Sequence, residues 1–399
     1  MNDKELNHQV SFEDTSIAFS SKDDKELKKM YLLFASMNNN ILVNLGTNLM
    51  KTAIKLNLPV KQFIKKTIFQ HFCGGETIED SQSTIEELAK YNIGTILDYS
   101  VEGEKTEEGF EKTATEIIKT INKAKSTSYI PFTVFKITGL ASAELLEKVQ
   151  KKEKLQPAEI QAFDKIKARV EKICKTAHDL EVRIFIDGEE SWIQEVIDEL
   201  AYQMMEKYNL NTAIVFNTYQ MYRKDMMGKL RNAFHYAVAG NYFLGVKLVR
   251  GAYMEKERER AEEVGYEDPI QPQKDATDQD YDKALKFCID NKQRIYLCSG
   301  SHNEYSNYYL TILMEKHGMK NNDGRVWFAQ LYGMSDNISF NLANAGYNVA
   351  KYVPYGPVEA VMPYLLRRAE ENTSISGQSS REFTLIKSEL KRRKKAKSR

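Results

Sequence analysis

The sequence predicts an α/β fold in which parallel strands close into a (β/α)8 barrel of the TIM type. Eight short apolar segments follow one another from about residue 90 onward, and polar stretches with helical periodicity separate them. This alternation is typical of parallel strands joined by crossover helices, and eight such units close a barrel. An open doubly wound sheet is the alternative. It is weakened because no two glycines are spaced two apart, as a G-x-G-x-x-G turn requires.

The predicted strands are short runs rich in isoleucine, valine, phenylalanine and leucine. They cover Ile93–Tyr99, Ile130–Ile137, Val182–Ile186, Thr212–Asn217, Phe243–Val249, Arg294–Cys298, Arg325–Ala329 and Val349–Val353. The segments between them have helical periodicity. The clearest predicted helices are Glu107–Lys123, Pro157–Asp179, Trp192–Lys207 and Gln220–Ala239.

The two ends of the chain differ from this repeat. Apolar residues at helical spacing predict N-terminal helices at Asp24–Met37, Leu42–Leu56 and Pro59–Phe72. We see no chemistry there and expect a packing or dimerising role. We divide the chain into an N-terminal helical arm (1–90), the barrel (91–376) and a basic C-terminal tail (377–399) that we expect to be disordered.

The composition argues against several classes of protein. A net charge of +1 over 399 residues gives no overall attraction to nucleic acid. The four cysteines lack C-x-x-C spacing and the six histidines lack metal-ligand spacing, so we predict neither disulfides nor a metal site. No run of about 18 apolar residues could span a membrane. The acidic N-terminus is neither a signal peptide nor an Arg-rich transit peptide, so we expect a cytoplasmic protein.

Polar side chains at the carboxyl ends of the predicted strands indicate where a site lies. In a TIM-type barrel, function is found at this end of the strands. Lys136 and Lys247 lie at or near two strand ends, and tyrosines follow several others. Ordinary hydrophilic loops would supply a scatter of serine, aspartate and glycine. They would not supply lysines inside apolar runs.

The stretch Tyr352–Asn372 indicates that the ligand is an anion. A short strand and a Pro-Gly-Pro turn lead into a helix on which Tyr364, Arg367, Arg368 and Glu371 share one face. Two adjacent guanidinium groups beside a phenol suit a bound carboxylate or phosphate, which arginine recognises bidentately. The alternative is an arginine pair on a solvated helix face.

The stretch Lys247–Tyr253 is the second indication of a site. Lys247 and Arg250 lie in or beside an apolar strand, and a buried cation must be paired or it costs several kcal/mol. The following Gly251 allows a tight turn or close approach of a ligand. A purely structural ion pair with Asp187 or Glu255 remains the alternative.

Together these segments resemble the proline dehydrogenase (proline oxidase) family. The resemblance rests on K-L-V-R-G-A-Y (Lys247–Tyr253), Y-V-P-Y-G-P-V (Tyr352–Val358) and P-Y-L-L-R-R-A-E-E-N (Pro363–Asn372). It continues at F-K-I-T-G-L (Phe135–Leu140), I-D-G-E (Ile186–Glu189), N-T-Y-Q (Asn217–Gln220), S-H-N-E (Ser301–Glu304) and Q-L-Y-G-M (Gln330–Met334). It covers about residues 90 to 376. The first motif is similar to the mitochondrial variant, and no aldehyde dehydrogenase domain follows, so we expect a monofunctional enzyme.

The resemblance implies a role for each matching residue. Lys136, Arg367 and Arg368 would hold the substrate carboxylate, Asp187 would orient these cations, and Lys247 would lie beside the flavin N5. The ring of the substrate would be walled by Tyr253, Leu331, Tyr352 and Tyr364. At the position of Tyr352 the related hydroxyproline dehydrogenases carry serine. Glu102 would pair with Arg367 to close the site.

The resemblance also implies an FAD site and a distorted barrel whose last helix lies over the mouth. The matching cofactor positions, besides Lys247, are Asn217, Gln220, Arg250, Gly251, Ala252, Ser301, His302, Asn303, Gln330 and Glu371. His302 is the only histidine that we place in the site. Asn217 departs from the bifunctional enzymes, which carry glutamine there.

The implied function is oxidation of L-proline to Δ1-pyrroline-5-carboxylate, the first step of proline catabolism to glutamate. A hydride would pass from C5 of proline to N5 of FAD, and ubiquinone or menaquinone would reoxidise the flavin. We expect the basic segment Lys391–Arg399 to help the protein reach an anionic membrane. One alternative is another flavin barrel enzyme, such as a methylenetetrahydrofolate reductase. The other is a non-enzymatic scaffold with a basic tail.

Overall fold

The computed structural model describes residues 10–37, 68–100, 104–374 and 378–398, and gives the backbone alone for residues 369–374 and 378–380. Its strands are parallel, follow one another around a closed barrel, and close where β1 pairs with β8. They are β1 (Ile93–Tyr99), β2 (Phe132–Phe135), β3 (Arg183–Ile186), β4 (Val215–Gln220), β5 (Leu244–Val249), β6 (Ile295–Gly300), β7 (Val326–Leu331) and β8 (Val349–Tyr355). The predicted (β/α)8 barrel and its eight strands are therefore confirmed.

Several strands extend further at their carboxyl ends than the sequence predicted. β4 ends at Gln220, which pairs with Val249, and β8 ends at Tyr355, which pairs with Tyr99. The prediction stopped where the apolar run stopped. The ladder of backbone hydrogen bonds continues past that point because it does not depend on side-chain hydrophobicity.

The barrel interior is filled by apolar side chains from alternate positions of the strands. They are Ile96, Phe132, Val134, Phe185, Phe216, Cys298, Ala329, Ala350 and Tyr352. Phe132 stacks on Phe185 with ring centroids 4.4 Å apart. Since successive side chains of a strand point to opposite faces, the residues between these positions face the surrounding helices.

Helices surround the barrel. They are α1 (Thr15–Ala18), α2 (Asp24–Met37), α3 (Gln70–Phe72), α4 (Gln82–Ala89), α5 (Glu107–Lys125), α6 (Ala143–Gln150), α7 (Pro157–Asp179), α8 (Ser191–Tyr208), α9 (Met226–Ala239), α10 (Met254–Val264), α11 (Lys274–Asp290), α12 (Glu304–Lys316), α13 (Asp336–Asn344), α14 (Val358–Ser374) and α15 (Gln378–Lys397). A short 3₁₀ helix (Ile137–Gly139) follows β2. None of these described helices is long and apolar enough to cross a membrane.

The predicted helices match most closely where the sequence carries clear start signals. α7 has the predicted bounds, with Pro157 in its first turn and a capping box formed by Gln156 and Glu159. α9 begins at Met226 instead of Gln220, because Gln220 belongs to β4. In the N-terminal arm α2 is confirmed. The predicted helix Leu42–Leu56 and most of Pro59–Phe72 lie outside the described residues.

The expectation of a disordered C-terminal tail is wrong, since α15 is a helix packed against α2. Its Leu385 and Ile386 join a cluster with Leu27 and Phe34, and Phe383 stacks on Tyr31. The basic run conceals this packing face in the sequence. Apolar and buried positions recur at helical spacing between the charged residues.

Charged residues also hold α15 in place. The buried Glu389 carboxylate accepts hydrogen bonds from Thr15 (2.9 Å), Arg392 and Arg393. Arg393 also reaches Asp24 at 3.0 Å. The basic end of α15 is therefore partly neutralised by the N-terminal segment.

α14 carries the predicted arginine pair and packs at the carboxyl end of the barrel. Val361, Tyr364 and Leu365 on its apolar side join a cluster that includes Met334 and Phe72. Leu331, the last residue of β7, packs against the same cluster. α14 also contacts α2 and α15, so both ends of the chain support it.

A fully buried lysine that the sequence analysis did not single out fixes the turn between β7 and α13. The Lys351 side chain is 0% exposed, and its Nζ lies 2.8 Å from Asp336 Oδ1. The ammonium also donates to the carbonyl oxygens of Met334 (2.5 Å) and Leu331 (3.4 Å). Each of its three protons thus has an acceptor in the turn. The Ser335 N–H in the same turn donates to the buried Glu382 of α15.

We predict that Lys351→Met lowers the free energy of unfolding by about 3–5 kcal/mol, because Asp336 would stay buried without its cation. Urea denaturation measures this loss. The matched control is Lys387→Met on α15, an exposed lysine that pairs with no described acid, where we expect a change within about 0.5 kcal/mol. Equal stability of the two variants would contradict a structural role for Lys351.

Candidate active site

The alternation of the strands directs several of the predicted site residues into the barrel mouth. Each follows an interior apolar side chain by two positions, so it points to the same side. These residues are Lys136 after Val134, Asp187 after Phe185, Leu331 after Ala329, and Tyr352 after Ala350. The backbone of Lys136 is still extended, and the Asp187 N–H still bonds to β2. The alternation therefore holds just past the strand ends.

Lys247, Asp187 and Tyr352 form one buried cluster across the mouth. Lys247 Nζ lies 2.5 Å from Asp187 Oδ1 and donates to Tyr352 Oη at 2.6 Å. The ammonium lies 4.4 Å from the centroid of the Tyr352 ring and 5.4 Å from that of Phe185. The Asp187 pair that the sequence left as a structural alternative is thus present, and it lies among the predicted site residues.

The Tyr352 phenol stays protonated in this cluster. Burial raises its pKa well above the ordinary value, and the negative charge of Asp187 adds to the rise. The hydroxyl accepts from Lys247 and can donate to Asp187 Oδ1, 3.4 Å away. Its orientation is therefore determined by its two charged neighbours.

Asp98 is a second buried carboxyl group at the mouth, and the sequence analysis did not predict it as a site residue. It follows the interior residue Ile96 by two positions on β1, and its Oδ2 accepts from Ser100 Oγ at 2.8 Å. Burial raises the pKa of Asp98, and the charge of Lys136 opposes that rise. The alternation of β1 was the signal that could have identified it.

Helix α14 brings Arg368 into the site. Arg368 is 6% exposed, and its guanidinium carbon lies 5.0 Å from the centroid of the Tyr364 ring. The alternative of a solvated helix face is therefore wrong for Arg368. Arg367 is half-buried. The predicted residues Glu102 and, for its side chain, Glu371 lie outside the part of the chain that the structure describes.

His302 is a neutral, fully bonded residue at the edge of the mouth. Its Nε2 accepts from the Leu331 N–H at 3.4 Å, so the proton lies on Nδ1, which donates to Ser335 Oγ at 2.9 Å. Burial lowers the pKa of His302 to about 3, and the charges of Lys351 and Arg368 contribute. The imidazole thus carries no charge at neutral pH.

Arg250 is held in a network at the ends of β5 and β6. It donates to Asp278 at 2.6 Å, to Ser301 at 2.7 Å and to Ser306 at 3.0 Å. Its guanidinium also lies over the Tyr281 ring, 4.4 Å from the centroid. This network holds the predicted residues Arg250 and Ser301 next to each other.

Three predicted cofactor residues have their side-chain amides engaged in other contacts. Asn217 alternates with the interior Phe216 and donates to Asp198 on α8 at 2.8 Å, so it faces outward. Gln330 accepts from Ser339 at 2.8 Å on the outer side of β7. Asn303 caps α12 by accepting from the Ser306 N–H. The structure does not bring these side chains to the inner cluster.

The remaining predicted residues lie on the loops around the mouth. Gln220, at the end of β4, donates to the carbonyl oxygen of Glu189 at 2.6 Å. Gly251 has a φ of +132°, and a Cβ there would come within 2.5 Å of the Tyr222 ring. Only glycine fits that turn. Ala252 and Tyr253 follow it directly at the start of α10.

The mouth thus combines at least two lysines, a buried arginine and two buried carboxylates with aromatic walls. Such a site suits a small anionic ligand with an apolar ring, because its cations can share the negative charge. Among the described residues, no group of three or more histidine, cysteine or acidic side chains could hold a metal ion.

Comparisons with known sequences identify the family of this chain. Residues 81–381 match the family model described as proline dehydrogenase. The chain is 33% identical to the mitochondrial proline dehydrogenase 1 of Dictyostelium discoideum, over 95% of this chain and 74% of the relative. It is 35% identical to the carbapenem antibiotics biosynthesis protein CarD of Pectobacterium carotovorum, over 81% of this chain and 83% of that protein.

Solved structures share the fold. The crystal structure of proline utilization A (PutA) from Bdellovibrio bacteriovorus aligns with a TM-score of 0.70 at 20% identity, covering 90% of this chain and 38% of that one. Because the family model spans most of the chain and a relative above 30% identity spans nearly all of it, the chain belongs to the proline dehydrogenase family of enzymes.

Proposed function

We propose that this chain oxidises L-proline to Δ1-pyrroline-5-carboxylate with FAD as the hydride acceptor, and that a membrane quinone receives the electrons. Family membership supports proline as the substrate. The observation that carries the proposal is the cluster at the mouth, where Lys247, Asp187 and Tyr352 lie within hydrogen-bond distance of one another. Both alternatives considered for the sequence, a folate reductase and a scaffold, disagree with that family.

The donor set supports a flavin at this cluster. The Lys247 ammonium has three protons, and within the described residues Asp187 and Tyr352 take two of them. The third is left for a ligand. FAD, when bound there, would supply the electron-pair acceptor, and a nearby cation favours its reduced, anionic form. Arg250 and the backbone at Gly251 lie on the same strand end and would hold the rest of the cofactor.

The substrate carboxylate would lie between Lys136 and the arginines of α14. Its charge would then be shared by three cations at the mouth, with Tyr364 stacked against Arg368 beside it. The pyrrolidine ring would contact Leu331 and Tyr352. This arrangement would orient C5 toward the cofactor and exclude water from the reacting atoms.

The proposed reaction is tested by the visible spectrum of the purified protein loaded with FAD. Under anaerobic conditions, L-proline should bleach the flavin absorbance, and the cyclic imine product should react with an imine-trapping reagent. NADH is the comparison reductant. Bleaching by NADH without bleaching by proline, or failure to bind FAD at all, would refute the proposal.

We predict that Arg367→Met and Arg368→Met each raise the KM for proline strongly while flavin stays bound. Loss of one charge-assisted bond to a buried carboxylate should cost about 2–5 kcal/mol of binding free energy. The matched control is Arg231→Met, an exposed arginine of α9. If both α14 variants keep the kcat/KM of the wild type, the arginines do not hold the substrate.

We predict that Tyr352→Ser narrows the preference for proline over trans-4-hydroxyproline. The ring of Tyr352 fills space where a C4 hydroxyl would lie, and overpacking of this kind costs about 1–3 kcal/mol. The serine would also remove a partner of Lys247, so its kcat/KM for proline should fall.

Tyr352→Phe separates these two effects, because it keeps the ring and removes only the hydroxyl. Its ratio of kcat/KM values for the two imino acids should stay that of the wild type. Both ratios are measured with one soluble dye acceptor. A serine variant with an unchanged ratio would show that Tyr352 does not select the ring.

A further inference from the structure

The solvent-facing side of α15 carries a row of exposed lysines. Lys387, Lys391, Lys394 and Lys395 are spaced so that they share one face of the helix, and all are exposed. None of them forms an ion pair with a described acid. A row of like charges costs free energy through mutual repulsion unless an anionic partner lies against it.

The other cations of α15 are used differently. Arg393 bonds to Asp24 and to the carbonyl oxygens of Phe19 and Lys22, and Lys397 also pairs with Asp24. These residues attach α15 to the N-terminal segment. The helix thus has an inner set of positive charges with structural partners and an outer set that pairs with no described acid.

α2, which packs against α15, also carries exposed lysines on one face. Lys25, Lys28, Lys29 and Leu32 follow the spacing of one helix face, and Leu32 is 67% exposed. No described acid pairs with these lysines. The acids at the start of α2 have other partners, since Asp23 accepts backbone N–H groups of the first turn and Asp24 pairs with α15. We call the exposed lysines of α2 and α15 the lysine face.

We propose that the lysine face docks the enzyme on the surface of an anionic lipid bilayer. The chain has a net charge of only +1, so this concentration of positive charge is local. Each lysine near an anionic bilayer adds to the attraction, so a group of them acts together. An exposed leucine among lysines suits the boundary between headgroups and acyl chains better than it suits a nucleic acid.

The position of the lysine face fits the proposed electron acceptor. α2 and α15 both contact α14, the helix that carries Arg367 and Arg368 at the barrel mouth. A bilayer held against the two helices would therefore lie near the site at which a lipid-soluble quinone must receive electrons. The transfer of electrons to a quinone at this place rests on the proposed function, whereas the docking itself does not.

Vesicle sedimentation of the full-length, FAD-loaded protein tests the docking. Wild-type protein should bind vesicles of phosphatidylcholine with phosphatidylglycerol, bind phosphatidylcholine alone weakly, and dissociate as salt rises. The quadruple variant Lys387→Gln, Lys391→Gln, Lys394→Gln, Lys395→Gln should bind anionic vesicles at least about tenfold more weakly than the wild type. Lys25→Gln, Lys28→Gln, Lys29→Gln should weaken binding in the same direction.

A matched control removes as many exposed lysines from other surfaces. Lys112→Gln, Lys154→Gln, Lys172→Gln, Lys320→Gln changes the net charge equally, and none of these lysines pairs with a described acid. It should keep the vesicle affinity within about twofold, well below the expected effect. All variants should keep the wild-type melting temperature and flavin spectrum.

Equal vesicle binding by the quadruple variant and the control, or no binding by the wild type, would refute the docking surface. Stronger binding of the wild type to duplex DNA than to anionic vesicles would also refute it. Proline oxidation with a soluble dye is measured in parallel. Its failure would count against the proposed reaction and leave the vesicle result intact.

Discussion

The site depends on a lysine held inside the barrel mouth. Burying an ammonium group is costly unless acceptors replace its water. Lys247 on β5 meets this requirement with Asp187 after β3 and Tyr352 on β8. One cation thereby ties three strands together around the mouth. The aromatic faces of Phe185 and Tyr352 enclose it further, so its charge acts in a poorly screened environment.

A second layer of buried charge supports this cluster from outside the barrel wall. Lys351 follows the interior Ala350 and holds the turn that contains Ser335, the hydrogen-bond partner of His302. Burial raises the pKa of Glu382 to about 7, and the nearby charge of Asp336 adds to the rise. Since Glu382 belongs to α15, the C-terminal helix takes part in holding the turn.

Much of the barrel and of the site could be predicted from the sequence because the side chains of a strand alternate strictly between its two faces. The apolar runs located the barrel strands, and counting by two from an interior residue directs Lys136 and Asp187 into the mouth. The same alternation places the Asn217 side chain on the outer face of the barrel, since its neighbour Phe216 is interior. Motif resemblance alone could not supply that direction. α15 was missed because a dense basic run hides the apolar spacing of Leu385 and Ile386, and a helix partner distant in sequence stabilises it.

We expect the Lys247 charge to act on the flavin that we propose at the barrel mouth. The most direct measurement is the two-electron reduction potential of FAD bound to wild type, Lys247→Arg and Lys247→Gln, by equilibration with a redox dye. Glutamine can still donate to Asp187 but carries no charge. We expect glutamine to lower the potential by about 30 mV or more, a tenfold change in the equilibrium, and arginine to keep it near that of the wild type. An unchanged potential in Lys247→Gln would contradict this expectation.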